Sequence, residues 1–150
     1  MCQIKSEPVH QAEEDIICYK VLNRKHIPSM VCGLEDKIAY FGPYQGVPYE
    51  VGSTYTLDDE EMVFNEGFEP IYIHGGFYHM IADEEDARKL QDYLIKTWYF
   101  DDFVVAKCRV PKYTRISYGR FKDVAFGSPI KRIDCKSLCT RTFELLEILK

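Results

Sequence analysis

Side chains that could bind or react cluster around one paired-glycine turn in the middle of the sequence. His74, Tyr78 and His79 flank Gly75-Gly76, and two consecutive glycines let the backbone take positive φ angles and approach a ligand closely. An imidazole changes its charge near neutral pH, and a tyrosine offers a flat ring with a polar tip. We therefore expect Gly75, Gly76, Tyr78 and His79 to line a ligand-binding site.

The last third of the chain is basic, whereas the rest is acidic. Residues 104–150 hold 11 of the 19 Lys and Arg residues but only four of the 24 Asp and Glu residues, and the whole chain carries a net charge of −5. This distribution fits an anionic ligand bound at the basic part, but two parts of one fold that attract each other explain it more simply. Arg109, Lys112 and Arg115 are the cations that we expect to contact phosphate groups.

Aromatic residues are interleaved with basic ones between residues 107 and 122. Such a pattern can bind single-stranded nucleic acid, because the cations meet phosphates and the rings stack on bases. The chain as a whole is acidic, with a pI of about 5.4, which disfavours nucleic acid as the main partner. A smaller anion such as a nucleotide fits this charge balance better.

The spacing of histidines, cysteines and acids gives no specific metal or catalytic signature. His74 and His79 lack the H-x-x-x-H spacing of helical zinc sites, and Cys135-x-x-x-Cys139 has no second pair nearby. The acidic run 58–61 lacks the spacing of an EF-hand. We expect no metal, no cofactor and no catalytic residues, while a nucleophilic Cys–His pair assembled by folding stays open.

No run approaches the 18 apolar residues that span a bilayer, and the N-terminus lacks the apolar core of a secretory signal. We therefore expect a cytoplasmic protein without membrane contacts, whose six cysteines are reduced thiols. The oligomeric state is left open, including a homo-oligomer.

The hydrophobic pattern predicts one α+β domain over residues 15–150, preceded by a flexible N-terminal arm over residues 1–14. β-branched and aromatic residues predict strands over 15–22 and 103–110. Asp83 and the acids after it predict a helix start, and Ala87, Leu90 and Leu94 give that helix an apolar stripe. The closing segment 137–149 has roughly helical spacing, with a strand over 143–149 as the alternative. We expect a curved, mostly antiparallel sheet with one or two packed helices.

Several short motifs resemble a group of uncharacterised small proteins from bacterial and phage genomes. The strand 17–22, Tyr49-Glu-Val-Gly52, Gly76-Phe-Tyr-His79 and the strand 104–111 follow one another as in that group, over roughly residues 16–135. The resemblance implies a protein encoded by a phage or mobile element, and it carries no function with it.

A more distant similarity links Gly76-Phe-Tyr-His79, ahead of a helix with Ala87, to the G-x-Y-F…A-x-x-Y segment of ADP-ribosyltransferases. The resemblance implies that Tyr78 matches the tyrosine that packs on nicotinamide in that family. Tyr19 and Lys20 stand where the family has a His or Arg, and Asp123 stands near the place of its late catalytic Glu. Because two of three positions depart from the family, the resemblance favours ligand binding over transfer chemistry.

These patterns predict a non-catalytic protein that captures a small anionic ligand of nucleotide or ADP-ribose type, acting as a counter-defence sponge in the host cytoplasm. The expected ligand-binding residues are Tyr19, Lys20, Gly75, Gly76, Tyr78, His79, Arg109, Lys112 and Arg115. One alternative is an active or degenerate ADP-ribosyltransferase that uses NAD. The other is an interaction module that binds a host or virion protein through its tyrosine-rich surface.

Overall fold

The computed structural model describes residues 3–4, 7–30, 32–33, 35, 37–42, 48–57, 63–64, 73–74, 77–97, 102–123 and 133–150. Strands dominate this part of the chain, and one helix accompanies them. The elements are β1 (Gln3–Ile4), β2 (His10–Gln11), β3 (Ile16–Ile27), β4 (Lys37–Phe41), β5 (Pro48–Tyr49), β6 (Thr54–Thr56), β7 (Val63–Phe64), β8 (Ile73–His74), β9 (Tyr78–Ile81), α1 (Glu84–Thr97), β10 (Asp102–Val110), β11 (Arg115–Asp123), β12 (Ile133–Thr140) and β13 (Thr142–Leu149).

The described strands form one sheet in which every pairing is antiparallel. Its order is β6-β13-β10-β3-β9-β12-β11-β1-β8-β7, with β4 beside β3, β5 beside β4 and β2 beside β11. The protein is thus a single small domain with a mostly antiparallel sheet and one described helix, in agreement with the predicted α+β class. No helix among the described residues is long and apolar enough to cross a membrane.

β3 and β10 lie at the centre of the sheet and pair from Ile16 opposite Val110 to Arg24 opposite Asp102. β10 buries residues on both of its faces, since Phe103 and Val105 point to one side and Val104 and Ala106 to the other. A strand that is apolar on both faces is stable only when both faces are covered. The strands predicted over 15–22 and 103–110 are confirmed, and the first extends to Ile27.

The sheet has a separate apolar core on each face. The helix-side core lies beneath α1 and includes Val21, Ile81, Ala87, Leu90, Leu94 and Val105. The aromatic-side core lies on the opposite face and includes Leu22, Tyr49, Met80, Leu138, Phe143 and Leu145, with Tyr55 and Tyr78 packed against it. Because side chains alternate along a strand, neighbouring residues of β3 contribute to different cores.

α1 begins where the acidic residues predicted a helix start. The Ala87 amide donates to the Asp83 carbonyl at 3.0 Å, and three acids occupy the first turn, where they favour the positive end of the helix dipole. The Asp86 carboxylate accepts a hydrogen bond from the Lys136 amide at 2.8 Å. This bond ties the first turn to β12 and helps to fix the helix on the sheet.

The two ends of the chain differ from their predicted structures. His10 and Gln11, expected in a flexible arm, pair with β11, and Ala12 is only 1% exposed, because the backbone edge of β11 offers hydrogen bonds to a polar segment. The helix favoured over 137–149 is replaced by β12 and β13, so that the strand alternative over 143–149 is confirmed. Leu138 of β12 and Phe143 and Leu145 of β13 all contribute to the aromatic-side core. The apolar residues of this segment can therefore share one face in strands as well as in a helix.

Candidate functional site

An open cleft of about 450 Å³ lies where the turn between β10 and β11 meets the junction of β12 and β13 and the end of β6. Three cationic residues line it: Lys112, Arg115 and Arg141. The other lining residues are Gln11, Thr56, Leu57, Tyr113, Thr114 and Thr142. The basic cleft, as we call it, therefore combines positive charge with hydroxyl groups and one aromatic ring.

The turn that carries Lys112 and Tyr113 is held by backbone hydrogen bonds. Pro111 lacks an amide hydrogen and follows the end of β10. The Tyr113 amide donates to the Ala12 carbonyl at 2.8 Å, and the Lys112 amide donates to Oδ1 of Asp15 at 2.8 Å. These two hydrogen bonds fix the turn to the N-terminal segment.

Tyr113 adopts a backbone conformation that is unfavourable for its residue type. Its φ angle is 73°, and a left-handed conformation costs an ordinary L-residue roughly 1–2 kcal/mol. Strain of this kind concentrates at functional sites. Tyr113 is 66% exposed, and Nζ of Lys112 lies 4.9 Å from the centroid of its ring. An accessible flat surface next to a cation suits a ligand that contains both a ring and a negative charge.

Arg141 anchors the other wall of the basic cleft. It lies between β12 and β13 and is only 4% exposed. Its Nη2 donates to the Leu57 carbonyl at 3.0 Å, and its guanidinium carbon lies 5.5 Å from the centroid of the Phe77 ring. The backbone amide of Arg141 also donates to the Arg115 carbonyl at 3.2 Å. This hydrogen bond holds the backbones of the two arginines next to each other. Arg141 therefore contributes positive charge to this wall from a mostly buried, fixed position.

Of the three cations that line the basic cleft, the sequence predicts Lys112 and Arg115 but not Arg141. The roughly helical spacing of the closing segment predicts Arg141 within a helix, whereas the structure places it at the junction of β12 and β13. The available signal was the flanking pair Thr140 and Thr142, since β-branched residues favour strands.

The remaining predicted site residues lie elsewhere, and the described structure does not bring them into one cavity with Lys112 and Arg115. Tyr19 packs against the helix-side core, where burial, followed by the nearby Glu84 carboxylate, raises its pKa. Arg109 forms an ion pair with Glu144 and does not line the basic cleft. Gly75 and Gly76 lie outside the described residues.

Tyr78 and His79 follow each other in β9 and therefore point to opposite faces of the sheet. The Tyr78 ring contacts Phe143 edge-on, with the centroids 4.9 Å apart, so it belongs to the aromatic-side core. Lys20 lies on the same face, and its Nζ donates to the His79 carbonyl at 3.1 Å. The ring of His79 lies on the other face.

Folding does assemble the Cys–His pair that the sequence left open. Sγ of Cys139 lies 3.4 Å from Nδ1 of His79, across the pairing of β12 with β9. Cys139 has no exposed surface and packs with Phe77 and Val9. A nucleophile must reach its substrate, and this thiol does not, so we assign the pair a structural role.

No three His, Cys, Asp or Glu side chains converge as metal ligands would within the described ranges. No family model matches the chain, and neither a curated protein nor a solved structure shows significant similarity to it. The resemblances to the bacterial and phage group and to ADP-ribosyltransferases therefore stay predictions, and the site rests on its geometry.

Proposed function

We propose that the protein binds a small anionic ligand of nucleotide or ADP-ribose type in the basic cleft, without chemical turnover. The observation that carries this proposal is the convergence of Lys112, Arg115 and Arg141 on one open cavity. Guanidinium and ammonium groups bind phosphate through charge-assisted hydrogen bonds. Tyr113, exposed beside them, would stack on the base of the ligand, since every nucleobase has a flat face.

The dimensions of the cleft support a small ligand. Small-molecule sites usually enclose about 300–1,000 Å³, and the basic cleft has about 450 Å³. The Thr56, Thr114 and Thr142 hydroxyls add donors and acceptors for a ribose. A long nucleic acid would instead need a basic track that extends well beyond one cleft.

Binding is better supported than transferase chemistry. Tyr78 pairs with Thr140 of β12, whereas the backbone of Asp123 pairs with Ile133. Since a strand rises about 3.3 Å per residue, these two positions of β12 are about 23 Å apart. The backbone positions of Asp123 and Tyr78 are therefore far apart along β12, which disfavours the arrangement of the transferase family.

A captor of this kind would act as a sponge, holding a host nucleotide signal in the cytoplasm and so blunting a defence response. This setting rests on the resemblance to phage proteins alone. The interaction-module alternative makes a different prediction: a stable complex with a host or virion protein and no affinity for nucleotides.

The test is calorimetric titration with ADP-ribose, ADP and adenosine, in parallel with mass spectrometry of the recovered ligand. We expect intact ADP-ribose to bind and adenosine, which lacks phosphate, to bind at least about tenfold more weakly. A hydrogen bond to a charged group contributes about 1.5–3 kcal/mol, so Arg115→Ala and Lys112→Ala should each weaken binding by about 10–100-fold.

Lys136→Ala is the matched control, because Lys136 is an exposed cation of β12 that does not line the cleft. Equal affinities for the wild type, the two cleft variants and the control would refute the assignment of the site. Release of nicotinamide from added NAD would favour the transferase instead.

A further inference from the structure

Lys20 is a cationic residue in an apolar setting, separate from the basic cleft. It lies in β3 between Cys18 and Leu22, both of which are fully buried, and it faces the fully buried Ala106 of β10. Its own side chain is half-buried. The amine therefore lies beside the aromatic-side core, and the residue as a whole keeps part of its surface exposed.

The groups around the Lys20 amine carry no compensating charge. Nζ donates to the His79 carbonyl at 3.1 Å and lies 5.7 Å from the centroid of the Tyr49 ring. Among the described residues, no carboxylate lies within 4 Å of it. The contacts thus consist of a neutral carbonyl and an aromatic face, which are weak compensation for the lost hydration of an ammonium.

Ionisable groups lie near Lys20 on four strands: Cys18 in β3, Tyr49 in β5, Cys108 in β10 and Cys139 in β12. Burial raises the pKa of Cys108 in β10 to about 12 and of Tyr49 in β5 to about 12, and it raises the pKa of Cys18 in β3 further still. Burial lowers the pKa of the Lys20 ammonium, while the thiols of Cys108, Cys18 and Cys139 would raise it only if they were ionised. Burial is the largest of these influences, so the pKa of the Lys20 ammonium lies below its usual value.

We propose that Lys20 is a reactive amine that captures small aldehydes as imines. The lone pair of Nζ attacks the carbonyl carbon, a C–N double bond replaces the C–O double bond, and the carbonyl oxygen leaves as water with the two amine hydrogens. No oxidant or reductant is consumed. Desolvation of a lysine amine in apolar surroundings is one way in which proteins activate it for imine formation.

The test is reductive trapping on the whole protein with acetaldehyde and cyanoborohydride, which reduces an imine to an ethylated lysine. Peptide mass spectrometry then gives the rate at each lysine. Lys25 is a matched internal control, since its Nζ also lies 5.7 Å from an aromatic centroid, that of Phe41, but its side chain is exposed. At about pH 7 we expect Lys20 to be ethylated about tenfold faster than Lys25.

The pH dependence separates an intrinsically reactive amine from one that is merely accessible. The rate ratio should fall as the pH approaches about 10.4, where an ordinary exposed lysine also loses its proton. In a Lys20→Arg variant the fast-labelled peptide should disappear while the labelling of Lys25 is unchanged. The proposal is overturned if the ethylation rate of Lys20 near pH 7 exceeds that of Lys25 by less than about threefold.

Discussion

Replacing Tyr78 by alanine distinguishes a core role of this residue from a role in the ligand site. The Tyr78 ring is half-buried and contacts the fully buried Phe143 edge-on at 4.9 Å. Truncating a fully buried aromatic residue costs about 3–5 kcal/mol, and an aromatic pair contributes about 0.5–1.5 kcal/mol beyond area burial. Because part of the Tyr78 ring stays in solvent, we expect Tyr78→Ala to lower the free energy of unfolding by about 2–3 kcal/mol.

The assay is urea unfolding together with thermal melting, and the ligand affinity of the folded variant is measured alongside. For a chain of this length a loss of 1 kcal/mol lowers Tm by about 2–4 °C, so Tm should fall by about 4–12 °C. The affinity for ADP-ribose should stay within about twofold of the wild type, and Tyr78→Phe should retain most of the stability. A variant that melts like the wild type but no longer binds ligand would refute this reasoning and return the site to β9.

Three further substitutions or reactions test other parts of the structure. Ala12→Asp should lower the free energy of unfolding, measured in urea, by about 2 kcal/mol or more, because Ala12 is 1% exposed and a carboxylate there would be buried without a partner. The control, Glu13→Lys at the next position, should have little effect. Iodoacetamide at about pH 8 should alkylate the exposed Cys32 and spare Cys108, whose pKa is raised to about 12 by burial. Rapid modification of Cys108, seen in peptide maps, would contradict its burial. Tyr113→Gly should leave stability unchanged or raise it by up to about 1 kcal/mol, because the left-handed strain is relieved, while it weakens ligand binding; a loss of stability in urea would show that the Tyr113 ring packs.

Local pattern predicted the central elements, because their own residues determine them. The apolar stretch that became β10 and the acidic start of α1 each contain a complete signal: residues that are stable only when buried, or residues that favour one end of a helix. Pro48, which has no amide hydrogen to donate, lies in β5, and β5 pairs with β4 alone among the described strands.

Features that depend on distant partners escaped prediction. His10 and Gln11 look like a polar arm until the edge of β11 supplies their hydrogen bonds. Tyr19 and Lys20 share a strand, and the alternation of side chains places them on different faces. Arg141 reaches the basic cleft only because β12 and β13 meet beside the turn that holds Lys112, a proximity that no spacing in the sequence encodes.

Amide chemical shifts recorded by NMR during a titration with ADP-ribose test the location of the binding site most directly. We expect the shifts to concentrate on residues 111–115 and 140–142 and on Leu57, which together form the walls of the basic cleft. Shifts centred instead on Lys20, Tyr78 and His79, with residues 111–115 unchanged, would contradict the proposed site.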